Sequence, residues 1–150
     1  MSYVTENTIW LSDKTSQSVK DTITRFYQLA DSKQADAGPL MATEVFSPDG
    51  VLHSPNGTFT GASEISKSRD NAWSVVTERR HIIQKAFGGN DEESELVLLG
   101  SVHMKFSDGQ ASDSSFAAHV KLEPSGSTSG SPHITFMEVY AASVPLPVLL

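Results

Sequence analysis

From Thr15 onward apolar residues recur at three- and four-residue spacing, as Val19, Ile23, Phe26, Tyr27 and Ala30. That period gathers them on one helical face, and Ser16 or Ser18 supplies a capping hydroxyl, so the spacing predicts a helix over 16–32. A short second helix is expected in "DAGPLMATEVF": Pro39 suits a first turn, Leu40, Met41, Val45 and Phe46 form an apolar side, and "SPDG" ends it. "VLHSPNGTFTG" reads as two short strands about a turn, because Asn-Gly readily takes the positive backbone angles of a tight hairpin. A third helix is expected over 63–76, capped by Ser63, with Ile65, Arg69, Ala72, Trp73 and Val76 on one face.

After Thr77 the pattern turns to β. Four long strands are expected at 77–88, 94–107, 111–123 and 132–143, joined by "GGNDEE", "SDGQ" and "EPSGSTSGS", which suit hairpins between antiparallel neighbours. In the second, Leu96, Leu98, Gly100, Val102, Met104 and Phe106 share one face, which is the core face. A three-residue loop, Asp108-Gly109-Gln110, brings Phe116, Ala118, Val120 and Leu122 to the same side and pairs Val102 with Phe116. His103 and His119 then point outward. In the first strand, Arg79, His81, Ile83 and Phe87 are favoured as the inner set; in the last, parity does not choose between Ile134, Phe136, Glu138, Tyr140 and Thr135, Met137, Val139, Ala141. Helices followed by a mostly antiparallel sheet make an α+β domain over 16–150, after an N-terminal extension, 1–15.

Composition narrows the function. A chain of 150 residues buries one core without staples. Eleven basic residues scattered among eighteen acidic ones give a net charge of -7 and no dense positive stripe, which argues against a nucleic-acid partner. The absence of cysteine removes thiolate nucleophiles, thiolate metal sites and disulfides together. No segment approaches the ~20 apolar residues of a membrane span, and no basic flank precedes an apolar run near the start, so a cytoplasmic protein away from the membrane is expected. The histidines at 53, 81, 103, 119 and 133 are not paired at ligand spacing on a helix, and "FGGND" is no phosphate cradle, so neither a metal nor a cofactor is expected.

The order of elements, with "FYQLADSKQADAGPLMATEVFSPDGVLHSPNGTFTGASEISKSRDNAW" followed by "ERRHIIQKAF", resembles the NTF2-like superfamily over residues 16–143. Within it the chain looks like the SnoaL-like polyketide cyclase branch and the small SnoaL-like proteins of filamentous fungi. The resemblance implies a sheet curled into a cone around a small-molecule pocket covered by the three helices. Relatives use such a pocket for cofactor-free isomerisation, dehydration, cyclisation or epoxide opening, here of a polyketide- or terpenoid-like molecule of secondary metabolism. It also implies a homodimer through the outer sheet face. A ligand-binding or dimerisation module without chemistry is the alternative reading.

Two residues are expected to carry the chemistry. His81 would face the cavity as acid or base, since imidazole titrates near neutrality. Glu138, set among Phe136, Val139 and Tyr140, would be its counterpart, because a buried carboxylate must be paired, protonated or open to a cavity. Arg69, on the expected buried stripe, would neutralise Glu138 or hold a substrate oxygen. Tyr27 and Asp31, one turn apart, would line the mouth, with a helix-end role the competing reading for Asp31. His53, Trp73, Phe116 and Tyr140 complete the expected binding wall.

Overall fold

The structure is a computed structural model that describes residues 2–88, 94–123 and 131–141. The expected loops after Gly88 and before Ser131, and the end of the last expected strand, fall largely outside these residues. Strand β1 (Ile9–Trp10) precedes helix α1 (Gln17–Ala30) and the short α2 (Ala37–Leu40), which runs on as a wider π-type turn through Met41–Val45. Strands β2 (Phe46–Ser54) and β3 (Gly57–Thr60) lead to α3 (Gly61–Ser66), then to β4 (Val76–Gly88), β5 (Glu95–Phe106), β6 (Ala111–Leu122) and β7 (Ile134–Ala141). Few helices on one large, curved, mixed sheet make the expected α+β class. The strand order is β1-β4-β5-β6-β7-β2-β3, antiparallel except where β1 meets β4 and β2 meets β7.

Helix α1 forms where its period put it. The Ser16 hydroxyl accepts from the Val19 N–H at 3.3 Å, and the buried face of Ile23, Phe26, Tyr27, Leu29 and Ala30 lies in the same core as Leu98, Phe116, Val120 and Met137. The third helix is shorter than the expected 63–76. After Ser66 the chain continues as tight turns, with Ser68 N–H to Ile65 O and Ala72 N–H to Arg69 O, while the Ser68 hydroxyl donates to the Ile65 carbonyl at 2.7 Å. Serine, Asp70 and Asn71 offer the backbone local partners that compete with a helix, and Ile65, Ser68, Ala72 and Val76 are still buried.

The β5–β6 hairpin keeps its expected parity but shifts its register by two residues. The three-residue loop is Ser107-Asp108-Gly109, one residue earlier than expected, with Gly109 at φ +89° and Phe106 N–H bonded to Gln110 O at 2.8 Å. Phe116 therefore pairs with Gly100, and Val102 with Ser114. His103 and His119 remain on the outer face, each against a carboxylate, Asp113 and Glu95.

Strand β4 departs more. An extra residue between Ile83 and Lys85 forms a bulge opposite Gly100 and Leu99, which reverses the facing of everything after it. Ile83 and Ala86 are buried, and Phe87, expected inside, is 41% exposed on the outer face. Residues before β1, expected as an extension, pack along the free edge of β4. Val4 is fully buried, its carbonyl accepts Ile83 N–H at 2.9 Å, and Thr8 Oγ1 donates to Ile83 O at 2.6 Å. No helix among the described residues is long and apolar enough to cross a membrane.

Candidate active site

Between α1 and the inner face of the sheet lies a cavity of about 250 Å³. Phe26, Tyr27 and Ala30 line it from α1, Arg79 and His81 from β4, Val102 and Met104 from β5, Phe116 from β6 and Val139 from β7, while Ser54-Pro55-Asn56 lies at the β2–β3 turn. Gly100 makes room for one wall: a methyl group at its α-carbon would stand 2.6 Å from the Phe116 ring and from Ile82 O. The rings of Tyr27, His81 and Phe116 meet with centroids 5.1–5.7 Å apart.

His81 reaches this wall because it precedes the bulge and shares the inner face with Arg79 and Ile83. Its Nδ1 lies 2.5 Å from Asp31 Oδ1, and its backbone N–H donates to Asp31 Oδ2 at 2.8 Å. Tyr3 OH donates to the same Oδ2 at 2.5 Å. Asp31 is the C-terminal cap residue of α1, where the helix dipole disfavours a negative charge, and its side chain is only 4% exposed. Three donors converge on it and offset that cost. Because a carboxylate only accepts, Nδ1 carries the proton of this contact, and Nε2 is left for the cavity, without a partner among the described residues.

Arg69 lies on the turn after α3 and closes the end of α1: its Nη2 donates to Ala30 O at 2.5 Å. Trp73 acts beside it, with Nε1 donating to Ser32 O at 2.9 Å, and the Arg79 guanidinium lies 4.8 Å from the centre of its ring. Burial, with the Arg79 charge nearby, pushes Arg69 down to about 10, partly opposed by Asp31. Arg79 is lowered by burial too, again opposed by Asp31. Both remain cations at neutral pH, and neither forms an ion pair among the described residues. Burial, then the Asp31 charge, pushes the Tyr27 phenol up, so it stays a neutral donor. Tyr27 Oη, Arg69 Nε and Arg79 Nη1 are all buried without a hydrogen-bond partner among the described residues, and all three residues line the cavity.

The structure thus brings together His81, Asp31, Tyr27, Arg69 and Phe116 of the expected set, although Asp31 stands behind His81 rather than at a mouth. Glu138 is corrected: Met137 and Val139 take the inner face of β7, so Glu138 falls on the outer face, where it accepts from Tyr140 OH at 2.8 Å. Tyr140, 56% exposed, is there as well. His53 is also corrected, since Leu52 points into the cavity and His53 away from it, bonded to Thr58 Oγ1 at 2.8 Å. Trp73 supports Arg79 and does not line the cavity. Arg69 finds Ala30 instead of Glu138. Two contributors were missed: Arg79, whose parity with His81 was a usable signal, and Tyr3, for which no periodicity gave one. Among the described residues no three His, Asp or Glu side chains converge to hold a metal ion.

No family model matches the chain, and no curated protein matches its sequence. Solved structures do match. A hypothetical protein from Catenulispora acidiphila with a ketosteroid isomerase-like fold, in complex with trimethylamine, is 18% identical, with 80% of this chain and 84% of that one covered at a TM-score of 0.62. An NTF2-like protein of unknown function from Burkholderia pseudomallei is 14% identical over 85% and 92% of the two chains, TM-score 0.65. A hexachlorocyclohexane dehydrochlorinase, LinA type 2, is 12% identical over 87% and 93%, TM-score 0.64. The chain has the NTF2-like, ketosteroid isomerase-like fold.

Proposed function

We propose that this protein is a cofactor-independent acid/base enzyme acting on a small, polyketide- or terpenoid-like molecule. The observation that carries this reading is the His81–Asp31 pair, with the imidazole at the wall of an aromatic cavity and the carboxylate behind it. His81 Nε2 removes a proton next to a carbonyl; the C–H bond breaks, its electron pair moves onto the carbonyl oxygen, and Asp31 stabilises the imidazolium. The imidazolium returns the proton at another carbon in an isomerisation or a cyclisation, or gives it to a departing oxygen in a dehydration. The positive field of Arg69 and Arg79 stabilises the developing oxyanion. The fold shared with a dehydrochlorinase and with a protein solved around trimethylamine supports a small-molecule pocket.

The test is solvent exchange. A panel of enolisable cyclic ketones and β-hydroxy ketones, each with and without a carboxyl group, in deuterium oxide should show enzyme-dependent deuterium uptake by NMR, lowered about 10²-fold or more in His81→Gln and in Asp31→Asn. No uptake with any compound, or uptake indifferent to His81→Gln, would favour the non-catalytic binding module.

We also propose that two copies pair through the outer sheet face. Phe87 lies opposite Val97 there, Leu99 opposite Ala117, and Ala117 opposite Tyr140. Phe87, Val97, Leu99 and Tyr140 are all exposed apolar side chains of one surface.

A further inference from the structure

We infer that the molecule bound in this cavity carries a carboxylate, held by Tyr27, Arg69 and Arg79, with its apolar body against Phe116 and its reacting carbon toward His81. The inference deepens the acid/base reading and takes its orientation from it.

Four observations converge. First, the cavity holds two guanidinium groups against one carboxylate, Asp31, and that carboxylate is already occupied by Tyr3 and His81. One positive charge is left over on two partly buried guanidinium groups, and an anion from outside the chain completes it. Second, the unpartnered buried atoms are all hydrogen-bond donors when their residues hold their ordinary protons: Tyr27 Oη, Arg69 Nε and Arg79 Nη1. A carboxylate offers about four lone-pair sites and accepts three donors, whereas the two lone pairs of a ketone oxygen fall short of that number. Third, guanidinium groups match the planar, two-oxygen shape of a carboxylate better than they match a point anion. Both are pre-positioned here, Arg69 by its bond to Ala30 O and Arg79 by the face of Trp73. Fourth, at about 250 Å³ and walled by Phe26, Tyr27 and Phe116, the space suits a compact, flat acid and is smaller than the ~300–1,000 Å³ of pockets for drug-sized ligands.

The probe is benzoate, with benzamide as its neutral isostere. In wild-type protein, benzoate should move the Arg69 Nε–H resonance in a nitrogen-15 spectrum and bind saturably by calorimetry, while benzamide should bind at least tenfold more weakly. Arg79→Gln should weaken benzoate about ten- to hundredfold, the scale of a lost charge-assisted hydrogen bond, with the far-ultraviolet spectrum and melting transition reporting that the variant is folded. His81→Gln should retain benzoate binding, since His81 is not part of the anion site. Equal binding of benzamide, an unmoved Arg69 resonance, or benzoate binding unchanged in Arg79→Gln would each overturn the inference. These readouts need no turnover. Loss of deuterium exchange in His81→Gln with benzoate binding intact separates the two claims, and the anion site fails on its own if exchange stands while benzoate does not bind.

Discussion

Asp31 stands at the C-terminus of a helix, with the last carbonyls beside it, which is the wrong end for a carboxylate. Its three donors explain why it is tolerated there, and they make Tyr3 a positioning residue for the His81 contact. Burial, then the hydrogen bond to Asp31, pushes the Tyr3 phenol above its ordinary value of 10.0, so the fold favours the neutral donor. Tyr3→Phe should cost about 1 kcal/mol in urea unfolding, below the ~1.5–3 kcal/mol of a bond to a charged group because the site is only partly buried. A raised value means that this contribution is fully present below pH 10.0 and is lost as pH rises beyond it. The stability gap between wild type and Tyr3→Phe should therefore be constant below that pH and close above it; a gap that widens at alkaline pH would contradict the assignment. Local pattern could single out His81, Arg69 and Tyr27. It could not join Asp31 to His81, because a pairing fifty positions apart in sequence is made by the packing of α1 on β4.

At the scale of elements, the alternation of β5 and β6 was legible because Ser101, His103 and Lys105 in one and Ser115, His119 and Lys121 in the other mark the outer face, and the inward set was read correctly. The register was not, since moving the loop by one residue preserves facing while sliding every pair by two. In β4 alternation fails beyond Ile83, because the bulge at Gln84 leaves no mark in the hydrophobic pattern. In β7 both faces carry apolar residues, Phe136 and Tyr140 outside against Met137 and Val139 inside, so parity offered no choice. Close packing between β5 and β6 yields a sharp expectation. Gly100→Ala pushes a methyl group into the Phe116 ring and Ile82 O, both 2.6 Å away, and should cost about 1–3 kcal/mol in chemical denaturation while displacing the Phe116 wall. Wild-type stability and ligand binding in that variant would show that the ring moves freely.

Across the whole molecule the sheet divides the labour between its faces: the inner one builds the cavity, and the outer one carries exposed Phe87, Val97, Leu99 and Tyr140. Sedimentation should find a dimer that Leu99→Lys converts to monomer; a monomeric wild type at high concentration would refute that use of the surface. Glu138→Gln, on the same outer face, should leave deuterium exchange unchanged and shift stability by less than about 0.5 kcal/mol. All of the proposed chemistry rests on the inner face, and within it on Asp31 turning a bare imidazole nitrogen toward the cavity. A long-range nitrogen-15 spectrum of His81 reads that arrangement without a substrate. The account predicts that the neutral imidazole is the tautomer with its proton on Nδ1 toward Asp31 and Nε2 bare, and that this preference is redistributed in Asp31→Asn; a neutral ring with its proton on Nε2 in the free wild-type protein would contradict it.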